Sequence, residues 1–98
     1  MTSQEFKIKE NSRVAKIAAR IMKADYLAIV FGSTIHLNKN IKQEFLSNQK
    51  WLKHELCHIK QYKEHGYILF IIKYIWECFR KGYYNNKFEV EAREAECR

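Results

Sequence analysis

The sequence predicts a small α+β domain, and three observations support this fold class. The 98 residues include no proline and only 3 glycines, which favours helices joined by short turns over linkers or disorder. Two short β-branched segments lie in the middle of the chain, separated by a glycine-containing dipeptide. Longer segments on both sides carry apolar residues at helical spacing. A chain of this length is expected to fold as a single domain over residues 1–98.

The first helix is predicted to begin after a polar N-terminal segment. Residues 1–11 are expected to be flexible, and Asn11 or Ser12 can cap a helix that ends near Lys23. The apolar stripe of this helix consists of Val14, Ile17, Ala18 and Ile21. Its cationic side consists of Arg13, Lys16 and Arg20. We expect the cationic side to face water.

A β-hairpin and a short helical turn are predicted next. Residues 26–31 and 34–37 are rich in β-branched and apolar side chains, which is typical of strands, and Gly32 supplies the tight turn between them. A short helical turn is expected over residues 41–46. The hairpin therefore places its second strand directly before the longest predicted helices.

A long helix is predicted over residues 48–65, with Ser47 as its N-cap and Gly66 as its stop. Its inward face is expected to carry Trp51, His54, Leu56, His58, Ile59 and Tyr62, and its outward face Lys50, Lys53, Lys60 and Lys63. This helix contains the most informative motif of the chain, so its orientation matters for the functional interpretation.

The most apolar segment is residues 67–79. It is too short to span a bilayer, and Lys73 interrupts it. We favour a central helix packed against the preceding one, whereas the alternative is a helix with an extra apolar face for a membrane surface, a dimer partner or substrate. Residues 81–86 are predicted to form a loop, and a last helix is predicted from residue 88 to the end.

The motif in the long helix reads His54-Glu55-Leu56-Cys57-His58, or H-E-x-x-H. Residues four apart on a helix share one face, so the two imidazoles can point at one metal ion. Glu55 lies one step around the helix, where it can reach a water molecule held by the metal. The pattern therefore encodes two metal ligands and a base.

A catalytic zinc site requires a third protein ligand. One known arrangement needs a glycine at position 61 and a histidine at position 64, but these positions hold Gln61 and Glu64. Another arrangement places a glutamate on a later helix, and Phe88-Glu89-Val90-Glu91-Ala92 fits the pattern E-x-x-A. Glu89 fits this pattern better than its rival, Glu91, which points to a different side of the helix.

These two motifs resemble those of the gluzincins, which are zinc metallopeptidases with H-E-x-x-H and a downstream glutamate. The likeness is greatest to the minigluzincins, the smallest soluble forms, and to the core of membrane-bound CAAX-type proteases. It covers roughly residues 14–96 and includes the element order of helix, β-hairpin, H-E-x-x-H helix, apolar helix and glutamate helix. The resemblance therefore implies a minimal zincin-like domain.

The resemblance implies that His54, His58 and Glu89 bind one zinc ion and that Glu55 is the general base. The chain departs from the family at Arg93, where gluzincins usually have an aspartate that orients the first histidine. Such a partner commonly contributes about 10–100-fold in metal affinity or activity. Glu96, one turn further along the helix, could take over this role.

Substrate-binding residues are expected before the two motif helices. In similar zincins the strand before the H-E-x-x-H helix pairs with an extended peptide, which here would make an exposed edge strand of Thr34, Ile35, His36 and Leu37. Candidates for stabilising the oxyanion are Tyr83, Tyr84 and Asn85, by their position before the glutamate helix.

Charge and cysteine content constrain partners and location. The net charge is +7, but the basic residues are scattered and no nucleic-acid motif is present, which disfavours nucleic-acid binding. Three cysteines with no disulfide-like spacing favour a reducing, cytoplasmic location. No transmembrane span is predicted, while peripheral membrane contact and a homodimer are left open.

Three functional hypotheses follow from the sequence. The first is a zinc endopeptidase that acts on protein or peptide substrates. The second is a zinc-binding domain with little or no catalytic activity that serves protein interaction. The third is a basic scaffold for anionic partners, in which the H-E-x-x-H motif is accidental.

Overall fold

The computed structural model describes residues 5–98. In this part of the chain the element order is β1 (Lys7–Lys9), α1 (Arg13–Met22), β2 (Ala28–Phe31), β3 (Thr34–Leu37), α2 (Lys42–Ser47), α3 (Gln49–His65), α4 (Tyr67–Asn85) and α5 (Lys87–Ala95). The α+β class predicted from the sequence is confirmed.

The three strands form one mixed sheet in the order β1-β3-β2. The predicted hairpin is confirmed, since β2 pairs antiparallel with β3 and Val30 lies opposite Ile35. β1 pairs parallel with β3, so that Ile8 also lies opposite Ile35. β3 is therefore the central strand, and the prediction that Thr34, Ile35, His36 and Leu37 form an exposed edge is wrong.

The strand β1 also corrects the prediction of a flexible segment over residues 1–11. Of that segment, residues 1–4 lie outside the described residues, whereas Lys7, Ile8 and Lys9 are paired in the sheet. A three-residue strand with a single apolar side chain has too weak a pattern to be recognised without its partner strand. Its pairing depends on the edge of β3 being available.

Helix α1 packs on one face of the sheet through small side chains. Ser12 caps it as predicted, and Ala15 and Ala19 are buried against Leu27. The apolar stripe of the sequence does not face this core, because Ile17 is 61% exposed and Ile21 is 75% exposed. Alanines allow the helix backbone to approach the strands closely, and the larger apolar residues are left on the outside.

The main core lies on the other face of the sheet. It consists of Val30, Ile35, Leu37, Phe45, Ile59, Tyr62, Phe70 and Phe88. Alternate strand residues point to opposite faces, so Val30 enters this core while its neighbour Ile29 packs beside α1. Helix α3 lies between the sheet and α5, and this position brings the motif into the interior of the domain.

The ends of α3 differ in part from the prediction. Asn48, and not Ser47, is the N-cap, because its side-chain oxygen accepts a hydrogen bond from the Trp51 N–H at 3.1 Å. Ser47 is the last residue of α2, and its hydroxyl donates to the Gln43 carbonyl at 2.7 Å. Gly66 ends the helix as predicted, with a φ of 85° that favours glycine.

Helix α4 corrects two predictions. The expected loop at residues 81–86 is largely helical, since α4 continues to Asn85 across a break at Gly82. The helix is also not central, because Phe70 and Glu77 are its only buried residues. No helix in the described part of the chain is long and apolar enough to cross a membrane.

The side chain of Asn38 fixes the base of the hairpin. It is 5% exposed, its Oδ1 accepts from the Leu27 N–H at 2.8 Å, and its Nδ2 donates to the Asp25 carbonyl at 3.0 Å. Loss of this side chain leaves a buried N–H and a carbonyl without these partners, which is costly.

We therefore expect Asn38→Ala to lower the free energy of unfolding by about 1–3 kcal/mol, measured by urea denaturation. Asn40→Ala is the matched control, because Asn40 is exposed, and a change within about 0.5 kcal/mol is expected there. Equal effects of the two substitutions would contradict this role of Asn38.

Candidate metal centre

Helices α3 and α5 bring His54, His58 and Glu89 together. One potential ligand atom from each side chain lies within 4.8 Å of the others. The Nε2 atom of His54 lies 3.1 Å from Glu89 Oε1, and the Nε2 atom of His58 lies 3.3 Å from Glu89 Oε2. His58 and Glu89 are buried and His54 is partly buried. Each ring therefore directs its Nε2 atom towards the Glu89 carboxylate.

Local structure explains this convergence. The two histidines are four residues apart in α3, and their ring centroids are 5.0 Å apart. Glu89 lies in the first turn of α5, which Asn86 caps by accepting the Phe88 N–H at 2.8 Å. The buried Asn86 also donates to the carbonyl of Tyr74 at 3.1 Å. This contact ties the start of α5 to α4 and fixes the position from which Glu89 reaches α3.

The orientation of the His58 ring is set by Gln61. His58 Nδ1 lies 2.8 Å from Gln61 Oε1, while Gln61 Nε2 donates to the Phe88 carbonyl at 3.1 Å and to Glu91 Oε1 at 2.7 Å. Because these two acceptors require the amide NH₂ group, the amide oxygen must face the imidazole. In the neutral ring Nδ1 then carries the proton, and the lone pair of Nε2 points towards Glu89.

The His54 ring is oriented in the same way by Glu96. Its Nδ1 lies 2.8 Å from Glu96 Oε2, and since a carboxylate only accepts, Nδ1 is the donor. Glu96 therefore lies where it can orient the His54 ring, the role for which its sequence position made it a candidate. Arg93 points elsewhere, because its guanidinium donates to the Tyr84 carbonyl at 2.6 Å and covers the Tyr84 ring at 3.9 Å.

Two residues of the centre were missed by the sequence analysis, Gln61 and Tyr74. The Tyr74 hydroxyl donates a hydrogen bond to Glu89 Oε2, and Gln61 is 1% exposed. The sequence contained a signal for each of these two residues. Gln61 lies one turn beyond His58 on the same helix, and Tyr74 is a tyrosine within an apolar run, whose hydroxyl needs a partner when buried.

The charges of the centre stabilise one another. Burial lowers the pKa of His54, but the hydrogen bonds to Glu89 and Glu96 and the charge of Glu55 outweigh it and raise that pKa to about 9. Burial also lowers the pKa of His58, but the hydrogen bond and charge of Glu89, the charge of Glu55 and the hydrogen bond with Gln61 outweigh it and raise that pKa. Burial raises the pKa of Glu89, but its hydrogen bonds with the two histidines hold that pKa far below the usual range.

Glu55 is buried beside this cluster, with 5% of its surface exposed. Burial raises its pKa to about 7, although the charges of His58 and His54 lower it. A carboxylate with a pKa near neutrality can both take up and release a proton at physiological pH. Glu55 thus has the properties of an acid–base group, on the same helix as the two histidines.

The oxyanion candidates lie at the end of α4 and are exposed. Tyr83 is 49% exposed, and partial burial together with the charges of Glu89 and Glu55 raises its pKa. Tyr84 is held by Arg93. Asn85 is the last residue of α4.

His36, in the central strand, lies with Nδ1 2.9 Å from the Ser12 hydroxyl.

Comparisons with protein-family models, with curated proteins and with solved structures found no match to this chain. The geometry of the centre indicates which chemistry it can support. Two imidazole nitrogens and one carboxylate oxygen are a donor set typical of catalytic zinc. Each imidazole also has a hydrogen-bond partner on its other nitrogen, as metal-bound histidines almost always do. The residues present thus fit a divalent metal ion such as zinc.

The pKa shifts predict how the stability of metal-free protein depends on pH. The pKa of His54 is about 9 in the folded state against 6.5 for an unperturbed histidine. Its stabilising contribution is therefore complete below pH 6.5 and is lost as the pH rises towards 9. Glu55, with a pKa of about 7 against 4.5, acts in the same direction at lower pH.

After treatment with a chelator, the free energy of unfolding is expected to fall between pH 6.5 and pH 9, measured by urea denaturation across this range. His54→Gln should reduce this fall. The control His36→Gln should retain it, because the pKa of His36 is lowered and not raised. A wild-type stability that is constant over this range would contradict the assignment.

Proposed function

We propose that this protein is a zinc-dependent endopeptidase with one metal ion bound by His54, His58 and Glu89. The observation that carries the proposal is the convergence of two oriented imidazoles and a buried carboxylate on one point. A buried cluster of this kind is costly to desolvate, since each charged group loses its hydration, and a functional role would account for its presence. Metal binding is a function that this donor set fits.

When bound, zinc would supply Lewis acidity, which lowers the pKa of a water molecule and polarises a carbonyl group. Glu55 takes a proton from the attacking water as the oxygen–carbon bond forms. It then donates this proton to the nitrogen of the leaving amine as the carbon–nitrogen bond breaks. The pKa of about 7 supports both roles, because neither protonation state is strongly disfavoured near neutral pH.

Tyr83 is our candidate for stabilising the oxyanion. It lies near the end of α4, shortly before the helix that carries Glu89, and a tyrosine hydroxyl is a suitable donor. Tyr74 serves another purpose, since its hydroxyl donates to Glu89. We assign Gln61 and Glu96 to orienting the two histidines.

We further propose that the chain is a minimal zincin-like domain of the gluzincin type. The H-E-x-x-H motif of α3 and the E-x-x-A motif of α5 support this relationship. Peptide substrates are part of the same proposal and follow from the resemblance.

The thiols of Cys57, Cys78 and Cys97 are all free, which supports a reducing, cytoplasmic environment.

A zinc-binding domain with little or no activity is the second candidate. The observation that favours it is Arg93, which stands where gluzincins have an orienting aspartate. Glu96 supplies a carboxylate to His54 in its place, and for this reason we prefer the active enzyme. Zinc binding without turnover of any peptide would select the second candidate.

We expect purified protein to hold about one zinc ion and Glu89→Gln to lose it, because a neutral amide is a poor ligand. Glu96→Gln should weaken zinc binding by about 10–100-fold, since it removes only the partner of a ligand. The measurements are metal analysis and competition with a chromophoric chelator.

The matched control is Glu94→Gln, an exposed glutamate in the same helix, which should bind zinc like the wild type. Full retention of zinc by Glu89→Gln, or no zinc in the wild type, would remove the proposed ligand set.

Glu55→Gln is expected to keep the metal and to lower the rate of peptide hydrolysis by about 10²–10⁴-fold, because it removes the proton acceptor. The measurement combines zinc content with turnover of a quenched fluorescent peptide library. An unchanged rate in a zinc-loaded variant would exclude Glu55 as the base. The Glu94→Gln variant again serves as the control and should hydrolyse at the wild-type rate.

A further inference from the structure

Helix α4 exposes a large apolar surface that the proposed chemistry does not use. This surface, called here the outer face of α4, consists of Ile68, Leu69, Ile71, Ile72, Ile75, Trp76 and Phe79. Ile68 is 76% exposed and Phe79 is 84% exposed. The spacing of these residues places them on one side of the helix, at about 100° per residue. Soluble monomers rarely expose a contiguous apolar surface of this kind without an interaction partner.

The inner face of α4 also carries apolar residues, although Lys73, Glu77, Arg80 and Lys81 interrupt the apolar pattern of the helix. Phe70 packs against Phe88 with ring centroids 4.9 Å apart, and Tyr74 reaches Glu89. A helix with apolar residues on both sides is expected to be covered on both sides. Within residues 5–98 the protein covers only the inner side, and the outer face is left exposed.

Charges beside the outer face indicate what covers it. Arg80 is exposed at one border of the apolar stripe, whereas Lys73 at the same border has its Nζ 3.1 Å from His65 Nδ1. The one acidic residue of α4, Glu77, is buried, accepts from the Lys87 N–H and pairs with Lys81 at 3.5 Å. The outer face therefore presents apolar side chains with a cationic border and no exposed carboxylate of its own helix. The whole chain has a net charge of +7.

This charge pattern separates two candidate partners. A second copy of the chain carries the same net charge of +7, so a contact between two copies would bring like charges together. An anionic lipid surface offers the opposite charge to the border and an apolar layer to the side chains. Trp76 and Phe79, whose rings stack at 6.3 Å between centroids, are residue types common where a helix lies in a membrane interface.

We propose that the outer face of α4 docks this protein onto an anionic membrane surface, with the helix lying in the plane of the interface. Ile72, Trp76 and Phe79 enter the headgroup–acyl boundary, and Arg80 contacts lipid phosphates. This inference does not depend on the proposed peptidase activity. It would place the metal centre close to the membrane, because Tyr74 on the opposite side of the same helix binds Glu89.

The test is flotation of the full-length protein with vesicles of phosphatidylcholine alone or with about one-third phosphatidylserine. Wild type is expected to float mainly with the anionic vesicles. The double variant Ile72→Ser, Phe79→Ser should bind at least about tenfold more weakly, since two apolar side chains no longer enter the interface. Arg80→Gln should weaken binding to the anionic vesicles by about fivefold.

The matched control is Ile17→Ser, Ile21→Ser, which removes two exposed apolar side chains from α1 and should bind like the wild type. Sedimentation equilibrium without lipid is expected to give a monomer for every variant. Absence of wild-type binding, equal binding to both vesicle types, or equal losses in the two double variants would overturn the proposal. A wild-type dimer that the α4 substitutions dissociate would assign the outer face to a second copy instead.

Discussion

The contacts of the Gln61 amide hold together the two helices that carry the candidate metal centre. The amide oxygen accepts from His58 in α3, and the amide nitrogen donates to the Phe88 carbonyl and the Glu91 carboxylate in α5. One side chain thus fixes both the tautomer of a proposed ligand and the separation of the two helices that carry the centre. Because Gln61 is 1% exposed, water cannot easily replace these contacts if they are lost.

The interior around this contact is unusually polar for so small a domain. Glu55, His58, Gln61, Glu77 and Glu89 are all buried. Among the described residues, every buried side-chain nitrogen and oxygen has a hydrogen-bond partner, so the network is satisfied although it is costly to desolvate. Burial raises the pKa of Glu55 to about 7, which reflects the free-energy cost of desolvating its carboxylate. Metal binding would offset part of this cost, because ligands held ready in the folded state link affinity to stability.

Helix α4 connects the centre to the outside of the molecule. Its inner side supplies the Tyr74 hydroxyl to Glu89 and the Tyr74 carbonyl to Asn86, which caps the glutamate helix. Its outer side presents the apolar residues proposed to meet a membrane. A contact that shifted α4 would therefore move a partner of the metal ligand and the cap of α5 together.

The sequence by itself determined the elements with strong local signals and the residues of the motif. Periodicity located α1, the hairpin and α3, and the four-residue spacing of His54 and His58 fixes their common helix face. Only the tertiary structure decided that β1 pairs with β3, that Gln61 and Tyr74 join the centre, and that α4 leaves one face uncovered. The physical reason is that local patterns record which side of an element is apolar, whereas strand partners, hydrogen-bond partners and the covering of a face depend on residues distant in the chain.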